Sequence, residues 1–186
     1  MTEPCTLIIF GATGNLAQLK LLPSLYHLES AGLLTPEMRI VCSGRSDYTQ
    51  DTWRQHVREI LDEHARDPLI APNCDRFCDR MHYFQGDLSK GETFHDLAWL
   101  LRNDEFPDNH VFYVSLPPST YGGIVESLDR ENMLDEHGAW RRVVIEKPFG
   151  TDLESARELN TAVHEVFDEH QVYRIDHYLG KETVSN

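Results

Sequence analysis

The stretch TLIIFGATGNLAQLK, residues 6–20, decides how the rest of the chain is read. It opens with an unbroken apolar and β-branched run, TLIIF, of the kind found in a strand covered on both faces. Glycines follow at 11 and 14, and a long amphipathic run begins directly behind them. Each small residue has a physical task. Gly11 permits a tight turn, Gly14 lets a pyrophosphate approach the backbone, and Ala17 keeps the helix close to the strand. A phosphate there sits at a helix N-terminus, where free N–H groups and the helix dipole favour an anion. The spacing is G-x-x-G-x-x-A rather than G-x-G-x-x-G, and a glycine turn also serves plain strand-to-helix packing. The position of the turn, after a first strand and before a long helix, favours the dinucleotide reading. Gly11, Ala12, Thr13, Gly14, Asn15 and Leu16 are its candidate coenzyme-binding residues.

Short strand-like runs then alternate with amphipathic ones. Strands are expected at 6–10, 39–44, 81–85, 110–116, 141–146 and 171–176, and helices at 15–32, 50–67, 91–102, 119–136 and 151–169. Gly32 is placed to close the first helix, while Pro23 is a misfit expected to kink it. Thr151 or Asp152 is placed to cap the last helix, whose apolar stripe is Leu153, Ala156, Leu159, Val163 and Val166. The stretch 68–80, PLIAPNCDRFCDR, reads as a surface loop. Six strands separated by helices predict an α/β fold, a doubly wound parallel six-stranded sheet of Rossmann type, forming one coenzyme-binding domain over 1–186.

Composition narrows the function. A net charge of -14 opposes a nucleic-acid surface, and the whole-protein field repels anions, so an anionic ligand needs local donors. Lysine occurs only at 20, 90, 147 and 181. No run approaches the ~20 apolar residues of a membrane span. Cys5 and Cys42 fall in apolar runs and read as buried thiols. Cys74 and Cys78 form a lone C-x3-C without a second ligand pair, which argues against a zinc site. No metal is expected, and a reducing cytoplasm fits best.

In a doubly wound sheet ligands bind beyond the C-terminal ends of the strands. An NAD site commonly places Asp or Glu at the end of strand two to bond the ribose 2′-hydroxyl. Here RIVCSGRSD puts Arg45 and Ser46 at that corner, and a guanidinium offers forked donors to a 2′-phosphate. NADP is therefore favoured over NAD, with Asp47 near enough to leave both open. Strand three ends in GDLS, which brings Asp87 and Leu88 toward the adenine or forms a simple turn. Strand four ends in SLPP, where Pro117 forces the chain away and can wall the ribose and nicotinamide. Strand five ends in EKPFG, with Lys147 at the mouth of the sheet. Strand six ends in RIDHYLGKE, carrying Asp176, His177, Tyr178 and Lys181. Two of the four lysines thus follow the last two strands, where they can hold a phosphorylated substrate.

Three segments taken together, GATGNLAQLKLLPSLYHL, VVIEKPFG and YRIDHYLGKETV, resemble the bacterial glucose-6-phosphate dehydrogenases, in order and over the whole chain. Asn15 departs from the Asp usual in that family's G-x-x-G-D-L-A turn, and as an isostere it is expected to cap the helix as well. The resemblance implies oxidation of the C1 hydroxyl of glucose 6-phosphate to a lactone, with hydride passed to NADP, in the oxidative pentose phosphate pathway. It implies that the glycine turn with Thr13 holds coenzyme phosphates and Arg45 the 2′-phosphate. Lys147 would lie between coenzyme and substrate, His177, Tyr178 and Lys181 would hold the sugar phosphate, and Asp176 would orient the general base. That base, a histidine, would lie downstream in a second domain that also makes the dimers or tetramers of the family. On this reading the 186 residues alone are expected to be inactive and to self-associate. The alternatives are a free-standing, non-catalytic NADP-binding module or degenerate paralogue, and an oxidoreductase of the glucose–fructose type, which shares Glu-Lys-Pro after strand five but lacks DHYLGKE.

Overall fold

The computed structural model describes residues 3–103, 105–146, 157, 161, 163–164 and 166–175. Six strands form one parallel sheet: β1 (Thr6–Phe10), β2 (Arg39–Gly44), β3 (Met81–Gln85), β4 (His110–Val114), β5 (Arg141–Glu146) and β6 (Val172–Ile175). Their order across the sheet is β3-β2-β1-β4-β5-β6. The chain runs outward from β1 to β3, then returns to pair β4 against the other side of β1. That reversal leaves a crevice beyond the ends of β1 and β4, the place where such sheets bind ligands.

Side chains of β1 alternate between two cores, as the two-residue period of a strand requires. Ile8 and Phe10 join Phe112, Val114, Val143 and Ile145 under α4 (Gly91–Leu101) and α5 (Tyr121–Arg130). Leu7 and Ile9 join Ile40, Cys42 and Tyr113 under α1 (Leu22–Ser30), α2 (Gln50–His64) and α3 (Ala71–Asp79). Val163 and Phe167 complete the first core. With helices on both faces, every residue of β1 is buried, which is why it reads as continuous apolar sequence.

The helix ends follow local chemistry. Gly32 adopts φ +68, and the Gly32 and Leu33 N–H groups donate back to Glu29 and Leu28, closing α1 in a Schellman turn. Asn132, with φ +55, closes α5 in the same way, its N–H and that of Met133 bonding Asp129 and Leu128. Thr49 caps α2 in a reciprocal box with Thr52.

The structure corrects several expected boundaries. The stretch 68–80 is not a loop throughout, because α3 occupies Ala71–Asp79 and buries Cys74, Phe77 and Cys78 on one face. Its proline falls in the first helical turn, where the missing N–H costs nothing. Pro23, expected to kink the first helix, falls in the first turn of α1. A π-helical turn at Ala17–Leu21 precedes it, which alters the backbone pairing where a proline ring would meet a carbonyl. Strand β4 stops at Val114, two residues before the expected end, since prolines 117 and 118 turn the chain away. Helices α2 and α5 are also shorter than expected, ending at His64 and Arg130.

Candidate coenzyme site

The turn after β1 is tied to the neighbouring strand rather than left free. The Gly11 and Ala12 N–H groups both donate to the Ser43 carbonyl at the end of β2, at 3.1 and 2.9 Å, and Gly14 N–H donates to the Gly11 carbonyl at 2.9 Å. Gly11 adopts φ +82, a conformation that glycine takes without steric cost. Ala17 is fully buried and packs in the core beneath α1 and α2, so a small side chain at this position lets the helix lie close to the sheet. The Gln18 side chain bridges the Thr13 carbonyl, at 3.3 Å, and His56 of α2, fixing the start of the helix from outside.

A cavity of about 630 Å³ opens beyond the ends of β1, β2, β3 and β4. Gly11, Thr13, Gly14, Arg45, Asp87, Leu88 and Pro117 line it. The structure thus brings seven of the residues expected from sequence to one place. Ala12 is buried behind the turn, while Asn15, Leu16 and Ser46 are exposed and do not line the cavity. Among the described residues Asn15 makes no side-chain hydrogen bond, so the expected cap is not formed; it already stands in the first helical turn. Lys147, Asp176, His177, Tyr178 and Lys181 lie outside the described residues.

Sequence reasoning missed other lining residues, among them Ser43, Gly86, Ser89, Leu116 and Thr120. All follow or end a strand, which was the available signal, but none has side-chain chemistry that stands out alone. Ser43 is informative. It is fully buried, and its hydroxyl has no partner among the described residues. Buried hydroxyls are normally satisfied, so an orphan on the wall of a cavity points to a polar guest.

Charge at the cavity is arranged locally against the acidic whole. Asp87 sits in a turn where its carboxylate accepts from the Ser89 N–H and hydroxyl, at 3.1 and 2.8 Å. Those bonds, with Lys90 and Arg45 nearby, hold its carboxyl below the usual carboxylate range. Arg45 is exposed and lines the same cavity. At the end of β5 the buried Glu146 carboxylate accepts a hydrogen bond from the Tyr113 hydroxyl. Burial, with Glu146 adding to it, pushes the Tyr121 hydroxyl up to about 12, so both tyrosines stay protonated beside that carboxylate. Among the described residues no group of three or more His, Cys, Asp and Glu could hold a metal ion, and no helix is long and apolar enough to cross a membrane.

A family model described as glucose-6-phosphate dehydrogenase, NAD binding domain, matches residues 8–186. The chain belongs to the glucose-6-phosphate dehydrogenase family. It is 42% identical over 188 residues to glucose-6-phosphate 1-dehydrogenase 2 of Mycobacterium tuberculosis (strain CDC 1551 / Oshkosh), covering 98% of this chain and 37% of that protein. It is 44% identical over 184 residues to glucose-6-phosphate 1-dehydrogenase of Dickeya dadantii, covering 99% and 36%. Among solved structures, glucose-6-phosphate 1-dehydrogenase from Mycobacterium avium superposes with a TM-score of 0.85 at 35% identity, over 96% of this chain and 37% of that one. A glucose-6-phosphate dehydrogenase in complex with its substrate glucose-6-phosphate gives 0.84 at 32% identity, over 99% and 38%. The chain therefore spans little more than a third of the length of these relatives, and the part it spans is the family's nicotinamide-dinucleotide-binding domain. The six-stranded parallel sheet is the fold of that part.

Proposed function

We propose that these residues form the NADP-binding part of an enzyme that oxidises glucose 6-phosphate at C1 to the lactone, in the oxidative pentose phosphate pathway. The observation that carries the proposal is the pairing of Arg45 with the Gly11–Gly14 turn on one cavity at the β1/β4 switch point. The cavity fits a dinucleotide on three counts. The turn exposes backbone at a helix N-terminus, the Ser43 hydroxyl lacks a partner among the described residues, and Arg45 stands where an NAD site commonly has a carboxylate. Asp47, the residue that left NAD open, does not line the cavity.

In this reading Thr13, Gly14 and the following N–H groups hold the pyrophosphate and orient the nucleotide. Arg45 holds the 2′-phosphate. Asp87 and Leu88 border the adenine, and Pro117 walls the nicotinamide ribose. The bound coenzyme supplies the hydride acceptor. Lys147 lies between coenzyme and sugar, His177, Tyr178 and Lys181 bind the sugar phosphate, and Asp176 orients the base that takes the C1 hydroxyl proton. These last roles rest on family membership and on the order of the residues in the sequence.

Calorimetric titration of the chain with NADP and with NAD tests the coenzyme reading. NADP is expected to bind at least tenfold more tightly, because bonds to a charged phosphate contribute about 1.5–3 kcal/mol. Equal affinities, or tighter binding of NAD, would contradict it.

A further inference from the structure

The segment that carries Arg45 leaves the sheet at Gly44, and Arg45, Ser46 and Asp47 are all exposed. A guanidinium on a loose segment would select poorly, because its orientation would have to be fixed on binding. Here the edge strand β3 and Gly86 directly after it hold the segment at three successive carbonyls. The Gly44 carbonyl accepts from Gly86 N–H at 2.9 Å, the Arg45 carbonyl from the Gln85 side chain at 3.5 Å, and the Ser46 carbonyl from the Tyr83 hydroxyl at 2.8 Å.

Of these holds, the bond from Tyr83 is both short and rigidly based. The Tyr83 ring is buried, 4.8 Å from Trp53 and edge-on to Tyr48 at 5.4 Å. As a residue of the edge strand it would leave its outer N–H and carbonyl unpaired. The Gln50 side chain takes both, accepting at 2.7 Å and donating at 2.8 Å. Burial pushes the hydroxyl up to about 12, so it remains a donor at physiological pH. The hydroxyl passes close under Gly44, where a Cβ would stand 2.9 Å from it and 2.8 Å from Thr13 Cγ2. Gly44 is thus the gap through which Tyr83 reaches Ser46.

We propose that Tyr83 is a positioning residue for coenzyme choice, its hydroxyl fixing the Gly44–Ser46 segment so that Arg45 faces the 2′-phosphate of NADP. The proposal rests on the reading of Arg45 given above. Tyr83 acts through Arg45 and does not itself line the cavity, so its removal should change discrimination between coenzymes rather than binding in general. Phenylalanine at 83 keeps the ring and its packing and removes only the donor.

The test is titration of the wild-type chain, Tyr83→Phe, Arg45→Ala and the double variant with NADP and NAD, alongside thermal unfolding of each. Arg45→Ala is expected to weaken NADP at least tenfold and to leave NAD within about twofold. Tyr83→Phe is expected to weaken NADP about threefold to tenfold and to leave NAD within about twofold. In the double variant the Tyr83 change should add nothing to the loss from Arg45→Ala, as it must if the tyrosine works only through the arginine. If Tyr83→Phe weakens both coenzymes alike, or neither, or if its effect persists in the Arg45→Ala background, the positioning role is overturned while the reading of Arg45 stands. If Arg45→Ala leaves the NADP to NAD ratio unchanged, the reading itself fails, and the positioning role fails with it. Should Tyr83→Phe unfold, Gln85→Ala takes its place, with a smaller loss expected for NADP alone and equal losses counting against the proposal.

Discussion

Gly11 at the end of β1 and Leu116 after β4 approach so closely that a Cβ on Gly11 would lie 2.7 Å from Leu116 Cδ2. It would lie equally close to the Ser115 carbonyl, a backbone atom that cannot rotate away. The two segments that make the crevice are therefore in contact through the missing side chain.

Gly11→Ala should be costly twice over. A methyl group at φ +82 strains the backbone, by about 1–2 kcal/mol, and the clash with Leu116 and Ser115 adds to it. Urea denaturation should show a loss of at least about 2 kcal/mol, with coenzyme affinity falling in the protein that remains folded. An unchanged midpoint would mean that the turn is not held as described.

Most of the architecture was legible because parallel strands buried on both faces advertise themselves. TLIIF and RIVCSG need no periodicity to be recognised, and the glycines between β1 and the first helix mark the switch point. The stretch 68–80 misled for a physical reason. A helix of nine residues with proline and asparagine in its first turn looks like punctuation, and the burial of Cys74, Phe77 and Cys78 is decided by contact with α1 and α2. The cavity was half legible. Arg45 and the turn have distinctive chemistry, whereas Ser43 and Gly44 acquire theirs only from what β3 places beside them.

A buried ion pair joins α1 to the end of α3. Arg80 Nε lies 2.7 Å from Glu29 Oε2, an ionic contact rather than an aligned hydrogen bond, and Arg80 NH1 also donates to the carbonyls of Thr35, Pro36 and Met38. Arg76, half exposed, holds the other Glu29 oxygen at 3.1 Å. Arg80→Ala should cost about 3 kcal/mol, because it leaves a buried carboxylate and three carbonyls short of donors. Arg76→Ala should cost less than about 1 kcal/mol. Chemical denaturation of the two variants checks the contrast, and equal losses would contradict it.

His110 gives the fold a defined acid sensitivity. It opens β4 with both ring nitrogens buried and without partners among the described residues, its ring edge-on to Phe112. Burial, with Arg141 adding to it, pushes the imidazole from 6.5 down to about 3. Between those values the unfolded chain binds a proton that the folded chain does not, so this contribution is complete above pH 6.5 and is lost as pH falls toward 3. Stability measured against pH should decline through that window, and His110→Leu should flatten the decline. A variant with the same slope as wild type would remove His110 as the cause.

The most direct measurement is a crystal structure of the chain with NADP bound. The pyrophosphate is expected over the turn from Gly11 to Leu16, beside the Ser43 hydroxyl. The 2′-phosphate is expected within hydrogen-bonding distance of Arg45, with the Tyr83 hydroxyl still on the Ser46 carbonyl. Coenzyme seated away from the β1/β4 crevice, or a 2′-phosphate that Arg45 does not reach, would contradict the proposed NADP site.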